Sequence, residues 1–535
     1  MAHFLPRLSW KTIICLLILA GVLFLKLIFS LHGLPGTNCD EVAYIEPAVN
    51  FAKTGHFGSP GLAEQLALKG VHGLAQTSFI VTPMGPYCRI AGYVLLGTDF
   101  QGRRMVDWLV FTFALGTFIF AARAWERGPL VLLVAAIMGL SPTVMWNAGR
   151  SDVFSMGFGL IAFGLAARLI KRDTMLIHRK IGVAYLVGLF AGFAVLAHPF
   201  GGVFWGVTAA VFVLTHNAGQ ARWRELIFLS LAIGLGGFSS LAIWLPRILA
   251  APELWYEQFY YLAALKVHLA KDFTGTALAV FYDLRKYHVV FVAVVASLFL
   301  PWRDPFQRFS RNAILIALIL LLIWRCRCWE FYAGPYIVHF WGLLCIWFVL
   351  ACKEWAACLQ RYVTSNLWGL FLCLFFGGVL LEMSAVCYVG LIATSRGVTS
   401  SFSLPVSKAV IAALNRRIGP DDKVLACATC YLDLNTTNKT FWYWGETLNL
   451  DSYDVIISRY PKIITLDKGE WVDFFTSQQA AEFHRQFELS AVLPPTPVRI
   501  KFFPEAWALQ TQPFYIFKKN HPSAKAGENP RPPLP

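Results

Sequence analysis

The sequence is short of charged residues. Only 14% of its 535 residues are Asp, Glu, Lys or Arg, and only 31 residues are acidic. With 57% hydrophobic residues and a mean hydropathy of +0.56, the chain is too apolar for a soluble globular protein. Apolar runs of about 20 residues recur along it, and this length is typical of helices that cross a bilayer. The sequence therefore predicts a polytopic helical membrane protein.

Other features are also missing. We find no internal repeat, although many secondary transporters contain one. The first apolar run, 12–31, lacks a convincing small-residue cleavage site, so we expect a retained membrane anchor. The formal net charge of +15 does not indicate a nucleic-acid partner, because the basic residues cluster in short loops between apolar runs.

The twelve cysteines are scattered along the chain, and several lie within apolar runs. Buried cysteine behaves as a small apolar residue. Cys427 and Cys430 have the spacing of a redox motif, but they lie in an apolar, strand-like segment. A redox or metal-binding role for this pair is therefore the less favoured interpretation.

The basic loops determine the predicted topology. The loops at 123–127, 171–180, 222–224, 303–311 and 353–361 all fall on the cytoplasmic side if residues 79–97 do not cross the membrane. Counting 79–97 as a span would place all five on the opposite side, so we predict a non-spanning segment there. About eleven spans remain: 12–31, 105–123, 130–148, 152–170, 181–198, 201–216, 226–249, 287–301, 312–327, 335–352 and 366–391.

This topology divides the chain into a mainly α-helical transmembrane domain over 1–395 and a small extracytoplasmic α/β domain over 396–520. A disordered tail is predicted for 521–535. The first outer loop, 32–102, is long, and we expect helices on the membrane surface at 41–54 and 61–75. In the C-terminal domain we predict helices at 404–419 and 477–487, and strands at 423–429, 453–460 and 514–519.

Polar residues that are distant in the sequence meet at the predicted outer face. They are Asp40, Glu41, Arg150, Asp152, His198, Glu330 and Tyr332. Each also has a structural interpretation: Asp40 as the N-cap of the following helix, Arg150 and Asp152 as an ion pair, and the tyrosine as part of an aromatic belt. Acidic residues beside a membrane helix are costly to desolvate, so their concentration here favours a functional site.

One chemistry suits this set of residues. A carboxylate at the membrane interface can act as general base on an acceptor hydroxyl or amine. Arg and Lys side chains can stabilise a phosphate leaving group, whose charge grows in the transition state. A lipid-linked phosphosugar would present its phosphate at this boundary while its tail stays in the bilayer.

The first outer loop carries a specific motif: Asp40-Glu41-x-x-Tyr44, then Ala48, Gly55, Phe57 and Pro60. This motif resembles the first outer loop of GT-C glycosyltransferases, in particular the bacterial branch akin to protein O-mannosyltransferases and aminoarabinose transferases. The segments GRSD (149–152), AHP (197–199) and FYAGPY (331–336) resemble later outer-loop signatures of that branch.

The resemblance implies inverting transfer of a sugar from a polyprenyl-phosphate donor. It implies that Asp40 is the catalytic base and that Glu41 is a structural or substrate-contacting neighbour. Arg150 and Tyr332 would contact the donor, and Asp152, His198 and Glu330 are the candidate substrate-binding residues.

The chain departs from the family pattern in one place. Relatives hold the phosphate with a lysine beside a Pro-Pro pair, whereas this chain has Pro83-Met84-Gly85-Pro86 without a lysine. Lys69, Arg89 or Arg103 would have to take over that role, and the sequence does not choose among them.

Several alternatives stay open. The partners expected beside the sugar donor are membrane lipids and a lipid, glycan or protein acceptor. A transporter or lipid flippase and an inactive scaffold are competing functions. The bacterial inner membrane is the expected location, but two N-glycosylation patterns, at Asn435 and Asn438, leave an endoplasmic-reticulum membrane open. The sequence establishes no cofactor with certainty; Asp40 and Asp152 could share a divalent metal ion, but nothing in their spacing requires it.

Overall fold

The structure is a computed structural model. It describes residues 9–32, 39–171, 175–218, 223–267, 288–328, 337–359, 371, 374–386, 406–441, 449–459, 477–498, 509–510 and 513–520. The helices of the transmembrane domain are α1 Trp10–Leu31, α2 Cys39–Thr54, α3 Pro60–Ala67, α4 Met84–Leu96, α5 Phe100–Ala122, α6 Pro129–Leu140, α7 Pro142–Met145, α8 Ser151–Lys171, α9 Ile177–Ala197, α10 Pro199–Ala218, α11 Trp223–Ser240, α12 Leu245–Ala250, α13 Pro252–Val267, α14 His288–Ala296, α15 Pro305–Cys328, α16 Ile337–Leu359 and α17 Leu374–Val386.

Seven of the described helices are long and apolar enough to cross a membrane. They are α1, α5, α8, α9, α11 with its 3₁₀ extension, α15 and α16. The shorter helices α6, α14 and α17 are apolar as well. Together with α10, these helices fall one by one on the eleven predicted spans. The predicted polytopic helical architecture is therefore confirmed.

The 79–97 segment forms a helix that is too short to cross the membrane, as the charge pattern predicts. Its helix, α4, has only 13 residues. At 1.5 Å per residue it is roughly 20 Å long, well short of the roughly 30 Å hydrocarbon core of a bilayer. Arg89, in the middle of α4, is completely buried in protein, where a lipid-facing helix would have an apolar residue.

The predicted basic connections gather at one end of the helix bundle. Lys171 donates a hydrogen bond to the carbonyl of Ala124, and Trp125 donates to Ser310 Oγ at 2.8 Å. Lys353 forms an ion pair with Glu126 at 3.7 Å. The Lys180–Glu225 ion pair, at 2.8 Å, links the second and third connections. All five predicted cytoplasmic connections therefore contribute residues to the same end, which requires an even number of crossings between them.

The opposite end carries the first outer loop. Thr82 donates a hydrogen bond to the carbonyl of Ala197 at the end of α9. Arg247 of α12 donates to Thr77 Oγ1 at 2.7 Å, and its guanidinium stacks 3.9 Å from the Phe57 ring centroid. The loop is thus fixed by contacts to α9 and α12 at this end of the bundle.

The C-terminal region is a small α/β domain. Its helices are α18 Lys408–Asn415, α19 Ala428–Tyr431 and α20 Ser477–Gln486, and its strands are β1 Val424–Ala426, β2 Lys439–Phe441, β3 Val455–Ser458, β4 Phe487–Leu493, β5 Pro497–Val498, β6 Leu509–Gln510 and β7 Phe514–Lys519. The sheet order is β2-β1-β3-β7-β4, with β1 parallel to β2 and β3, and β7 antiparallel to β3 and β4.

The strands of this domain differ from the sequence prediction, because one predicted strand is shorter and strands β2, β4, β5 and β6 were not predicted. The predicted strand 423–429 ends at Ala426, because residues 428–431 turn into α19. Strand β4 begins directly after α20, and its residues 488–490 are all exposed, so it lacks the alternation of buried and exposed residues by which a strand is recognised. One face of the sheet is covered by Phe483 and Phe487, which pack against Phe517.

The α/β domain docks on the first outer loop through buried polar contacts. Arg103, at the start of α5, forms an ion pair with Asp433 and donates to the carbonyl of Thr98. The Tyr431 hydroxyl donates a hydrogen bond to the Glu46 carboxylate of α2. These contacts give the two domains a shared, partly charged interface.

The Glu46 carboxyl is fully buried at this interface, and burial raises its pKa from 4.5 to about 7, although hydrogen bonds from Tyr431 and the Gly61 amide oppose the shift. Folding therefore takes up a proton, and the stability associated with this group falls as the pH rises from about 4.5 to about 7.

Glu46→Gln removes the charge and keeps an acceptor oxygen. We expect the variant to be more stable than the wild type at pH 8, by at most about 3 kcal/mol, and to match it near pH 4.5.

Thermal unfolding at both pH values measures this difference. Glu64→Gln in the same loop is the matched control, because Glu64 is partly exposed and forms an ion pair with Lys423 at 3.0 Å. Losing that pair should change the stability by less than about 1 kcal/mol. A Glu46→Gln variant that is less stable than the wild type at pH 8 would contradict the predicted proton uptake.

Candidate functional site

The first-loop motif meets the 149–152 turn. The Glu41 side chain is buried against Gly149, where a Cβ atom would lie 2.8 Å from the Glu41 carboxyl carbon. The Arg150 guanidinium lies over the Tyr44 ring at 5.7 Å from its centroid. Glycine at position 149 therefore allows α2 to approach this turn, and the two most specific sequence signatures share one site.

Asp40 lies at the start of α2, which begins at Cys39. Its backbone is helical, so it is not the N-cap residue that the structural interpretation required. The side chain of Asp40 lies outside the described part of the chain, as do Glu330 and Tyr332. The roles predicted for these three residues stay predictions.

Asp152 is the centre of a buried polar cluster. Its Oδ2 atom accepts a hydrogen bond from Arg150 Nε at 2.9 Å. Its Oδ1 atom lies 3.4 Å from His198 Nε2 and 3.6 Å from His339 Nε2. All four side chains are at least nine-tenths buried. The predicted Arg150–Asp152 pair is therefore present, and it is part of a larger group.

Local sequence explains how these side chains converge. His198 precedes Pro199, and a residue before proline avoids the helical conformation. His198 accordingly adopts an extended backbone, with φ −154° and ψ 114°, between α9 and α10. Asp152 lies in the first turn of α8 and His339 in the first turn of α16. The side chains of Asp152, His198 and His339 thus converge from the start of α8, the α9–α10 break and the start of α16.

Gly201 in α10 is required by the same cluster. A Cβ atom at this position would lie 2.0 Å from Cε1 of the His339 ring. Gly201→Ala is expected to destabilise the protein by about 1–3 kcal/mol and to displace His339, since an overpacked core must shift. Thermal unfolding measures the loss.

Gly206→Ala, one helical turn and a half further along α10, is the matched control. Its Cβ atom would lie 3.6 Å from Ala191 Cβ, which is an ordinary contact. Alanine in a helix interior should stabilise the protein by roughly 0.5–1 kcal/mol. Equal effects of the two substitutions would contradict the packing of His339 against α10.

Two of the three other basic residues proposed for the phosphate site, Arg89 and Arg103, are paired with carboxylates. Arg89 donates to Asp107 at 3.1 Å and to the carbonyl of Ala148 at 2.8 Å. Arg103 faces Asp433 in the C-terminal domain. Lys69 is exposed in the turn that follows α3. Arg150 contacts the first-loop motif through the Tyr44 ring.

Sequence reasoning missed His339 and Asp107. His339 is a single histidine in the apolar segment IVHFWGLL, and Asp107 lies in the apolar run of α5. One available signal was the cost of placing these polar groups in a membrane helix, which indicates a buried partner or a function. The identity of the partners, 18 to 187 residues away, depends on the tertiary fold.

The arrangement combines an Arg150 guanidinium, a stacked tyrosine, two carboxylates and two imidazoles at one end of the helix bundle. A guanidinium held by a carboxylate suits the recognition of a phosphate group. The aromatic ring and the remaining carboxylate suit the apolar faces and hydroxyl groups of a sugar.

The fold of this chain matches solved structures of low sequence identity. It is similar to the crystal structure of ArnT from Cupriavidus metallidurans bound to undecaprenyl phosphate, with a TM-score of 0.58 and 14% sequence identity over 96% of this chain and 99% of that chain. The apo form of the same ArnT gives a TM-score of 0.53 at 14% identity, covering 94% of this chain and 97% of that one.

A third similar structure is the archaeal oligosaccharyltransferase AglB from Archaeoglobus fulgidus, in complex with an inhibitory peptide and a dolichol-phosphate. Its TM-score is 0.50 at 11% identity, and the match covers 83% of this chain and 66% of that chain. No family model and no curated protein matches the sequence. These likenesses establish the fold.

Proposed function

We propose that the protein is an integral membrane glycosyltransferase. It would transfer a sugar from a polyprenyl-phosphate donor to a lipid, glycan or protein acceptor at the extracytoplasmic face. The observation that carries the proposal is the contact between Tyr44 of the first-loop motif and Arg150 of the second outer turn. The fold supports it, since a similar structure, ArnT, is bound to undecaprenyl phosphate.

The proposed mechanism is a single inverting displacement. The carboxylate of Asp40 takes the proton from the acceptor hydroxyl or amine. The acceptor atom attacks the anomeric carbon of the sugar as the bond from that carbon to the phosphate oxygen breaks. The polyprenyl phosphate leaves with the bonding electrons, and Arg150 stabilises its growing negative charge. The configuration at the anomeric carbon is inverted.

The buried partners of Arg150 have a role in this mechanism. Asp152 holds the Arg150 Nε atom at 2.9 Å, and the Tyr44 ring lies against the guanidinium. A cation fixed in this way needs little reorganisation when charge develops on the phosphate. Glu41, buried beside Gly149, would hold the start of α2 and therefore the backbone of Asp40.

The charge distribution supports the proposed extracytoplasmic location of the site. The basic connections lie at one end of the bundle, and the proposed site and the α/β domain lie at the other. The positive-inside rule assigns the basic end to the cytoplasm. The bacterial inner membrane is the location that we propose.

Reconstitution tests the proposal against the transporter alternative. Purified protein in liposomes is incubated with polyprenyl-phosphate sugars that carry a radiolabel in the sugar, together with candidate acceptors. We expect the label to move to an acceptor while one polyprenyl phosphate is released for each sugar transferred. Movement of the intact labelled lipid across the bilayer, without cleavage of its sugar–phosphate bond, would reject the enzyme in favour of a flippase.

A further inference from the structure

We propose that Asp152, His198 and His339 form a binding site for one divalent transition-metal ion of the Zn²⁺ type. The three side chains come from the first turn of α8, the α9–α10 break and the first turn of α16. Each offers one ligand atom, and these atoms all lie within 4.8 Å of one another. The proposal concerns metal binding and does not depend on the proposed sugar transfer.

The spacing of the ligand atoms fits a small ion. Bonds of about 2.0–2.1 Å in a tetrahedral site place neighbouring ligand atoms about 3.4 Å apart. Asp152 Oδ1 lies 3.4 Å from His198 Nε2 and 3.6 Å from His339 Nε2. Both distances exceed the usual 2.7–3.2 Å of an N–H···O hydrogen bond. The separations of Asp152 Oδ1 from the two imidazole nitrogens therefore match the spacing of metal ligands and exceed that of hydrogen-bonded atoms.

Unsatisfied hydrogen-bonding capacity supports this interpretation. Within the described residues, Asp152 Oδ1 and both ring nitrogens of His339 have no hydrogen-bond partner, although Asp152 is fully buried and His339 is 2% exposed. A buried polar atom without a partner costs about 1–3 kcal/mol. A bound cation would satisfy Asp152 Oδ1 and one nitrogen of His339 together.

The type of ligand selects the type of metal. Two imidazole nitrogens and one carboxylate oxygen suit Zn²⁺ and similar transition-metal ions, whereas Mg²⁺ and Ca²⁺ prefer oxygen ligands. Arg150 donates to the second carboxylate oxygen of Asp152 at 2.9 Å. Hydrogen bonds of this kind orient the ligating carboxylate in metal sites. Three protein ligands leave one position open for water or a substrate oxygen.

The metal content of the purified protein tests the site directly. The full-length chain, carrying an affinity tag without histidine, is purified after growth with added Zn²⁺, and zinc is measured by inductively coupled plasma mass spectrometry. We expect close to one zinc per chain in the wild type and at least a tenfold lower content in His339→Gln. Added Zn²⁺ should raise the thermal unfolding midpoint of the metal-depleted wild type and should not raise that of the variant.

His216→Gln is the matched control, because His216 lies near the other end of α10 and contacts the Phe309 ring. It should keep the wild-type zinc content. Gly201→Ala gives a second test in which none of the three ligand residues is replaced. It displaces His339 and should therefore lower the zinc content, whereas Gly206→Ala should not. Co²⁺ added to the metal-depleted wild type should give the visible absorption of tetrahedral coordination even if His339→Gln fails to fold. The proposal would be overturned if the wild type held no more zinc than His339→Gln and Gly201→Ala and also gave no Co²⁺ spectrum.

Discussion

Replacing Asp40 with asparagine is expected to slow sugar transfer by a factor of about 10² to 10⁴, which is the usual contribution of general acid–base catalysis. Asparagine has nearly the same shape, but it cannot accept the acceptor's proton near neutral pH. Asp40 is placed at the start of α2, directly before Glu41, and α2 carries Tyr44 to Arg150. The loss should therefore appear in kcat at saturating donor.

The measurement is the rate of release of polyprenyl phosphate from labelled donor by variants in liposomes. Asp99→Asn is the matched control, because Asp99 is exposed and accepts a hydrogen bond from the Gly102 amide at the start of α5. Asparagine caps helices about as well as aspartate, so neither stability nor transfer should change. Undiminished turnover by Asp40→Asn would reject Asp40 as the base, while transfer by the wild type would still support the proposed enzyme.

Replacing Arg89 with methionine is expected to lower the free energy of unfolding by about 3–5 kcal/mol. Removing one partner of a buried ion pair leaves an uncompensated charge, and that charge is the cause of the loss. The Arg89 side chain has no exposure to solvent, pairs with Asp107 at 3.1 Å and lies 5.3 Å from the Phe154 ring centroid. Arg104, at 3.7 Å, is a more distant partner of the same carboxylate.

A double-mutant cycle separates the structural role from a role in donor binding. Arg89→Met with Asp107→Leu removes both charges, so the double variant should be more stable than Arg89→Met alone. Thermal unfolding in detergent gives the stability, and the transfer assay gives KM for the donor. If Arg89 has only a structural role, the KM for the donor should be unchanged in the double variant. A KM that rises at least tenfold in a stable double variant would instead assign Arg89 to the phosphate, as the family resemblance allowed.

The sequence was sufficient to predict the helices because two physical constraints act on it. A bilayer imposes a minimum length on an apolar helix, and the charge rule fixes the number of crossings between basic loops. The short helix α4 was recognised by Pro83, Pro86 and Arg89, which a spanning helix rarely contains. In the α/β domain no such constraint applies. Strands β2, β4, β5 and β6 were therefore missed, and β1 was predicted too long.

The candidate site was predictable only in part. Asp152 and His198 were identified because a turn or a proline marks them in the sequence. His339 has neither signal, and its relation to Asp152 arises from the packing of α16 against α8. Arg89 and Arg103 were predicted as donor ligands from their basic charge alone. Their carboxylate partners, Asp107 and Asp433, lie on other elements, so no local pattern revealed that both arginines are paired.

The contacts between the first outer loop and the α/β domain limit how freely the two domains can be exchanged in evolution. The Glu46 carboxylate and the Arg103 guanidinium are buried by Tyr431 and Asp433 of the other domain. A domain acquired by recombination would have to bring matching partners, or it would leave a buried acid and a buried cation uncompensated. We therefore expect the two halves of this interface to change together, so that the C-terminal domain behaves as a fitted part of the transmembrane domain rather than as an exchangeable module.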